Sequence, residues 1–276
     1  MSQTLGTTIP SRLICSVVRD TEQLAQLAPS WRQLLERSAS NEPILSPLWL
    51  QNWWAIFGSR EGRRLRVCCF FREERLVGLA PLLQRRWWYR PGIPFRRLEA
   101  LGTGEHPREA IHPDYVNLVA ERGAEQEVVR AFVEVLLGGA LGDWDELLLP
   151  QMDGEGPLLP LLTTAFRDRQ LNCDCRITGS ASYIPLLASW EAYLQKLPSS
   201  RRYFVRQSLR RFEQWAGADA AVHVVSDRSD LAKGTQVLSS LHQRRWGAER
   251  GKFGSPRFAA FHDRVLLAIL DAGALE

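Results

Sequence analysis

The sequence predicts a mixed α/β fold, in which a partly antiparallel sheet is flanked by helices. An early β-hairpin predicts antiparallel pairing, and the alternating strands and helices that follow predict β–α–β units. The chain has 276 residues, enough for one large or two medium domains with cores of their own. Its composition, with 45% hydrophobic and 24% charged residues, is ordinary for a soluble globular protein.

The first half of the chain contains most of the predicted strands. Residues 13–19 form a strand pattern, and Asp20 then caps a helix that Pro29 kinks or splits. In the hairpin that follows, Gly78 and Pro81 indicate a bulge or bend in the second strand. Its two strands are 64–71 and 76–84; later strands are predicted at 95–102, 115–120, 145–152 and 171–177, and helices over 128–136 and 157–170.

The stretch SPLWLQNWWAIFG, residues 46–58, contains three of the ten tryptophans of the chain. Ser46 is a good N-cap and Pro47 a good first helical residue, so a helix is predicted here. At about 100° per residue the apolar side chains fall on one broad face, with Gln51 and Asn52 facing away. We favour core packing of this face over a role in stacking on a ligand. The apolar side chains are those of Trp49, Leu50, Trp53, Trp54, Ile56 and Phe57.

The second half of the chain has a different order. Helices are predicted at 189–198, 200–217 and 231–246, and a fourth begins at Ser255 and ends at Gly273. Only residues 221–226 form a clear strand pattern. The sequence therefore predicts a helical half with one strand and no sheet for its helices to cover.

Two basic segments rich in aromatic residues suggest an anionic partner, although the net charge is only +4. One runs from Arg85 to Arg97 and the other from Arg201 to Arg211. The first could rest on an anionic membrane surface or contact nucleic acid, but we favour an exposed hairpin end whose arginines lie over aromatic rings. No recognisable nucleic-acid motif accompanies either segment, so a nucleic-acid partner is not expected.

The N-terminal residues, the hydropathy and the cysteines together predict a cytoplasmic protein without a metal site. Residues 1–12 lack the basic start and apolar stretch of a secretory signal, and no apolar run approaches the roughly 20 residues that span a bilayer. The five cysteines include no C-x-x-C pair. Cys68, Cys69, Cys173 and Cys175 lie in strand-like runs, so reduced thiols in the core are expected rather than disulfides or a zinc site.

Several motifs of enzymes are missing, among them G-x-S-x-G, H-E-x-x-H, the Walker loop and the Rossmann glycines. Residues 176–181, from Arg176 to Ala181, match the R-x-x-G-x-A spacing with which many N-acetyltransferases hold a pyrophosphate. That function requires the loop to open a helix. The residues that follow predict a strand and include Pro185, so we interpret the match as a coincidence.

Three groups of side chains are candidates for a site. Arg202, Arg206 and Arg210 form one ridge of a helix that could clamp a phosphate, although a solvated basic face explains them as well. His262 lies on an apolar stripe of a predicted helix. It could act as a base, or it could be a core residue whose polar atoms are hydrogen-bonded. Asp114 and Tyr115 could present a carboxylate and a phenol at a sheet edge, or simply form a turn.

Five segments in order resemble the GNAT-like acyltransferases of the CelD type, the cellulose-biosynthesis proteins, which are relatives of the FemAB-like acyltransferases. The segments are SPLWLQNWWAIFG, RLVGLAPLL, HPDYVNL, LPSSRRYFVRQSLRRFEQWAG and LHQRRWGAERGKFGSPRFAAFH. The resemblance implies two tandem GNAT-like domains, 13–180 and 181–276. The Trp-rich helix would belong to the first, scaffolding domain, and the second would bind acyl-CoA.

The sequence departs from this family at its end. Relatives continue with further strands, an Asp-Phe-x-x-Gly stretch and a Tyr-Lys pair, and neither Asp-Phe nor Tyr-Lys occurs in this sequence. We therefore expect the second domain to be truncated, without the strands and loop that grip the cofactor.

The resemblance implies an acyl-CoA-dependent N-acyltransferase, with acetyl-CoA as a typical co-substrate and a small-molecule or sugar-linked amine as acceptor, in polysaccharide or cell-envelope metabolism. His262 would then be the catalytic base, with Trp246 and Phe258 near the acyl group and Arg202 and Arg206 on an anionic part of the substrate. The alternative is a non-catalytic scaffold that binds a protein partner. Binding of nucleic acid is the least supported of the three hypotheses.

Overall fold

The computed structural model describes residues 12–217 and 221–274, without the side chains of 248–250. Residues 1–11, which bear on the absence of a secretory signal, therefore lie outside the described part. The strands are β1 (Ile14–Val18), β2 (Arg64–Leu65), β3 (Val67–Arg72), β4 (Arg75–Ala80), β5 (Leu82–Arg90), β6 (Ile93–Ala100), β7 (Val119–Ala120) and β8 (Glu146–Leu148). The helices are α1 (Thr21–Gln26), α2 (Ala28–Arg37), α3 (Pro47–Phe57), α4 (Glu125–Leu137), α5 (Leu158–Asp168), α6 (Trp190–Lys196), α7 (Ser199–Ala216), α8 (Arg228–Arg250) and α9 (Pro256–Asp271). Short 3-10 turns, Pro43–Leu45 and Lys252–Gly254, precede α3 and α9.

The strands form two four-stranded sheets, in the orders β1-β3-β4-β7 and β2-β5-β6-β8. Only β6 and β8 pair in parallel among the named strands. Helices cover the sheets, so the predicted mixed α/β class is confirmed.

One long hairpin runs through both sheets and bends between them. Its two arms change sheet at Arg66, between β2 and β3, and at Pro81, between β4 and β5. Proline has no N–H to donate to a ladder, which favours a break there. On β4 the register skips Val77, because Phe70 pairs with Gly78 and Phe71 with Leu76. The predicted bend and bulge are therefore both confirmed.

The first sheet separates two cores. Cys69 and Leu79 belong to the core formed with α1, α2, α3 and α9, whereas Cys68 and Phe70 belong to the core formed with α4 and α5. This division follows from the alternation of side chains along a strand. Gly78 lets α4 lie close to the sheet, since a Cβ there would come within 2.5 Å of the side chain of Val128.

The Trp-rich segment is helix α3, and its broad face is packed in the core as predicted. The hydroxyl oxygen of Ser46 accepts a hydrogen bond from the N–H of Trp49 at 3.2 Å, which confirms the N-cap. Trp53 is fully buried. The partner of this face is α9, whose Phe261 ring lies 5.1 Å from that of Trp49 and 6.1 Å from that of Phe57. A helix of the second half therefore completes the core of the first.

The helix split near Pro29 is also confirmed, because α1 ends at Gln26 and α2 begins at Ala28 with Pro29 in its first turn. All four helices predicted in the second half are present as α6 to α9. Helix α8 extends further than predicted, to Arg250, and is broken at Gly247, whose φ of 74° favours glycine. None of the helices within the described residues is long and apolar enough to cross a bilayer.

Three strand predictions need correction. Residues 171–177 and 221–226 form no strand, and of 115–120 only Val119–Ala120 pairs. Ile177 and Val222 are 96% and 94% exposed, so neither segment is covered. Strand patterns become strands only when a neighbouring strand takes up their backbone hydrogen bonds. No described residue in the range 181–274 supplies such a neighbour.

The cysteine prediction holds in part. All five thiols are free, and Cys68 and Cys69 are buried in β3. Cys173 and Cys175 are exposed, because the strand predicted for them does not form. The expectation of core thiols was therefore wrong for this pair.

Candidate functional site

Besides the packing of α9 on α3, the two halves of the chain meet at a second place, where the loop 101–118 touches the start of α9. The ammonium of Lys252 donates to the carbonyl of Ala110 at 2.8 Å. The hydroxyl of Ser255 and the guanidinium of Arg257 donate to the carboxylate of Glu109 at 3.2 and 2.9 Å. Glu109 therefore supplies a negative charge at the N-terminus of α9, where the helix dipole stabilises it.

Five aromatic rings lie beside this junction, in a cluster that we call the aromatic row. The ring of Phe253 is central, with centroids 5.3 Å from His242, 5.1 Å from Phe258 and 5.5 Å from His262. His262 and Phe258 are the nearest pair, at 4.1 Å. Trp246 ends the row, 6.5 Å from His242 and about half exposed. The row thus combines two imidazoles with a partly open apolar surface.

The hydrogen bond of His262 fixes its tautomer. Its Nδ1 lies 2.7 Å from the carbonyl oxygen of Phe258, and a carbonyl can only accept, so Nδ1 carries the proton. In the neutral ring Nε2 then has a free lone pair. Burial lowers the pKa of His262, and its hydrogen bond to Phe258 opposes that effect only in part. Neutral pH therefore leaves His262 able to accept a proton.

Two more groups with shifted pKa values lie within electrostatic reach. Burial lowers the pKa of Lys252, and the charge of Glu105 opposes this. The charge of Lys252 in turn contributes to the lowered pKa of His262. Burial raises the pKa of Glu105, whose carboxylate accepts a hydrogen bond from the indole N–H of Trp53. Titratable groups with pKa values shifted by burial are frequent at functional sites.

The structure brings together three of the predicted site residues, Trp246, Phe258 and His262, in the aromatic row. Arg202 and Arg206 lie elsewhere, on α7. The guanidinium of Arg202 donates to the carbonyls of Gln195 and Leu197 at 3.3 and 3.1 Å, at the end of α6. Arg206 lies 3.8 Å from the carboxylate of Glu191.

Asp114 and Tyr115 lie in the loop 101–118 rather than in a strand, and Tyr115 has a positive φ of 58°. Neither is hydrogen-bonded to a residue of the aromatic row within the described part of the chain. The loop does approach α9, through Glu109 and Ala110. Asp114 and Tyr115 therefore do not lie at a sheet edge, and the bend at these two positions agrees with the turn that was the alternative.

Sequence reasoning missed His242, Lys252 and Phe253, and also Glu105 and Glu109. Lys252 and Phe253 lie between Gly251 and Gly254, directly before the Ser-Pro start of α9. A glycine pair before a helix start was the available signal. The two glutamates gave none, because they come close to α9 only through the tertiary fold.

An acyl-CoA donor carries a pyrophosphate, for which a free helix N-terminus is the usual partner. Beside the aromatic row, at the start of α9, the carboxylate of Glu109 is bonded to the side chains of Ser255 and Arg257, and its negative charge repels a phosphate there. At α8 the carboxylate of Asp227 accepts from the N–H of Asp230 at 2.9 Å, so this end is capped. Residues 176–181 are exposed and open no helix, so they lack the helix N-terminus that phosphate binding by their motif requires. The residues around the row therefore do not fit a pyrophosphate.

Residues 199–276 match the family model of the acetyltransferase (GNAT) domain. The match includes α7, α8, α9 and the whole aromatic row, and it supports the GNAT-like part of the resemblance over these residues. No curated protein matches the chain.

Two solved structures are similar to the chain at low TM-scores. An integron cassette protein from the mobile metagenome of V. cholerae has 10% sequence identity and a TM-score of 0.33. The superposition covers 67% of this chain and 99% of that protein. An acetyltransferase of Trypanosoma brucei has 20% identity and a TM-score of 0.34, covering 62% and 99%. Neither likeness is close enough to bear on function.

Proposed function

We propose that the protein is an N-acyltransferase of the GNAT type that moves an acyl group from a thioester, such as acetyl-CoA, to an amine. The match of residues 199–276 to the GNAT acetyltransferase domain is the observation that carries this function. The resemblance to CelD-type and FemAB-like proteins favours a small-molecule or sugar-linked amine of polysaccharide or cell-envelope metabolism, and the sequence composition favours a cytoplasmic location.

An amine must lose a proton when its nitrogen is acylated, so the site needs a base. In this proposal Nε2 of His262 takes that proton, because its lone pair is free when Nδ1–H is bonded to Phe258. Phe258 and Trp246 then provide an apolar wall beside the base. Because the described residues around the row do not fit a pyrophosphate, we assign no residue to the donor.

Arg206 is the better candidate of the two arginines for an anionic part of the acceptor. Its side chain is 52% exposed and its contact with Glu191 is long, at 3.8 Å. Arg202 is already engaged with two backbone carbonyls. Asp114 and Tyr115 stay in the proposal as acceptor contacts, because their loop reaches α9 through Ala110 and Glu109.

The test is release of free thiol from acetyl-CoA by the purified protein, with a panel of amines that includes amino sugars. His262→Gln should lower kcat by about 10²–10⁴-fold, the usual contribution of a general base. The exposed His223→Gln is the matched control and should keep full activity. Because burial lowers the pKa of His262, the rising limb of the pH profile should lie below about 6.5, the usual value for histidine, and should disappear in His262→Gln.

The outcomes separate the function from the residue. No thiol release with any amine would overturn the acyltransferase proposal. Full turnover by His262→Gln would remove its role as base while leaving acyl transfer in place.

A non-catalytic scaffold is the second candidate, and one observation favours it. Beside the aromatic row, the carboxylate of the protein's own Glu109 lies at the helix N-terminus that could receive a pyrophosphate, bonded to Ser255 and Arg257, and its charge opposes a second anion. Calorimetric titration with acetyl-CoA distinguishes the two. The enzyme should release heat of binding and the scaffold should not.

A further inference from the structure

Helix α7 presents an uncovered apolar face. None of its residues is buried, although it is 18 residues long. At about 100° per residue, five apolar side chains fall within an arc of about 140°. Four of them are largely exposed: Phe204 at 61%, Leu209 at 44%, Phe212 at 55% and Trp215 at 82%. Val205 is the fifth, and we call this set the α7 apolar arc.

The remaining surface of α7 is strongly basic. The helix contains five arginines and one acid, Glu213. By the same helical spacing, Arg202 and Arg211 lie at the two borders of the apolar arc, and Arg201 lies within it at the N-terminal end of the helix. Within the described part of the chain, Arg201, Arg210 and Arg211 form no ion pair, and Arg206 reaches only Glu191 at 3.8 Å. Most of the positive charge of α7 is therefore available to a partner.

The other basic segment, from Arg85 to Arg97, is less available than its composition suggests. Arg85 and Arg97 are buried and paired with Glu99 and Glu146 at 2.8 Å each. Arg96 contacts Asp143 and Asp145 at 2.8 and 2.7 Å. Among the residues that the structure describes, Arg86 and Arg90 are the only arginines of the segment from Arg85 to Arg97 that have no acidic partner. The structure thus favours α7 over the hairpin as the surface for an anion.

We propose that α7 binds an anionic membrane surface, lying in the plane of the interface with the apolar arc inserted. A helix with aromatic and leucine side chains on one face and arginines on the other has the composition of interfacial helices. Arg201 and Arg211 can reach lipid phosphates while their stems cover the apolar surface, whereas Arg202 is bonded to the carbonyls of Gln195 and Leu197. Charge complementarity selects the occupant, because a net positive helix attracts anionic lipids and gains nothing from neutral ones. This binding does not depend on the proposed acyl transfer.

The test is co-sedimentation of the full chain with vesicles of phosphatidylglycerol and phosphatidylcholine in equal parts, against vesicles of phosphatidylcholine alone. Binding should be confined to the anionic vesicles. It should weaken as salt rises from about 0.1 M to about 1 M, since the Debye length falls from about 10 Å to about 3 Å. Arg201→Gln together with Arg211→Gln, the two unpaired arginines on the membrane side of the helix, should lower the partition coefficient about 25-fold, or about fivefold per charge.

Matched variants keep this test specific. Phe212→Ala and Trp215→Ala should each weaken binding, and because both side chains are exposed, neither should disturb folding. Trp88→Ala, at the exposed end of the hairpin, should not weaken it. Arg86→Gln with Arg90→Gln removes the same charge as the α7 pair and should leave binding within about twofold of the parent, since charges away from the contact are screened.

Four results would overturn the inference. The first is no binding to anionic vesicles, and the second is equal binding to neutral ones. The third is loss of binding in the hairpin variants rather than the α7 variants. The fourth is that the α7 variants abolish self-association in light scattering, or binding to a single-stranded oligonucleotide, while vesicles are not bound.

Discussion

Replacing Phe261 by alanine tests whether α9 is a true part of the main core. The ring is fully buried between α9 and α3, with Trp49 and Phe57 as neighbours at 5.1 and 6.1 Å. Removing it leaves a cavity that these large, fixed side chains cannot easily fill. For a buried phenylalanine the loss of transfer free energy and the cavity together cost about 3–5 kcal/mol of unfolding free energy.

The measurement is urea unfolding followed by far-UV circular dichroism, compared at a constant m-value. Phe212→Ala is the matched control, because it removes the same side chain from the exposed face of α7. Its unfolding free energy should stay within about 0.5 kcal/mol of the parent. If Phe261→Ala cost less than about 1 kcal/mol, below the range for buried large-to-small changes, the docking of α9 on α3 would be refuted.

Two further predictions concern buried groups of the sheets. Glu99→Ala should cost up to about 3–5 kcal/mol, because Arg85, paired with Glu99 at 2.8 Å and only 5% exposed, keeps just the half-exposed Glu61 at 3.0 Å as a counter-charge. Asp143→Ala removes an 85% exposed partner of Arg96 and should change the unfolding free energy by less than about 1 kcal/mol in the same urea assay. Equal losses for the two variants would contradict the greater contribution of the buried pair. For the thiols, burial raises the pKa of Cys15 to about 11 and of Cys69 to about 12, and raises that of Cys68 as well. A thiol reagent at mildly alkaline pH should therefore label the exposed Cys173 and Cys175 first, and rapid labelling of Cys68 or Cys69 in the folded protein would contradict their burial.

Local patterns of the sequence were enough to predict most helices and the central hairpin. Ser46 and Pro47 fix the start of α3, and Gly78 and Pro81 mark the bulge and the bend, because capping, φ restriction and the missing proline N–H act within a few residues. Side-chain periodicity likewise predicted which face of α3 is buried. Trp246, Phe258 and His262, which the sequence analysis grouped, do lie in one aromatic row, and their role as a site stays a prediction.

Strands were predicted less well, and the reason is that a strand is completed by a neighbour. Residues 171–177 and 221–226 have sequence patterns typical of strands, as β3 does, but β3 lies between β1 and β4, whereas those segments lie exposed. The exposure of Cys173 and Cys175 follows from the same fact. The sequence also suggested more unpaired positive charge in the segment from Arg85 to Arg97 than the structure shows. Its arginines are paired with Glu99, Asp143, Asp145 and Glu146, which reach them only across strands or from distant loops.

The sequence by itself thus determined the mixed α/β class, the caps and breaks of the helices, and the amphipathic character of α3, α7 and α9. Only the tertiary structure decided which of these faces are covered. It placed α9 against α3, set Glu109 at the start of α9, brought Lys252 and Phe253 beside His262, and left α7 without cover. The docking of α9 on α3 and the position of Glu109 at the start of α9 depend on contacts between residues more than a hundred positions apart, and no local propensity or periodicity encodes such contacts.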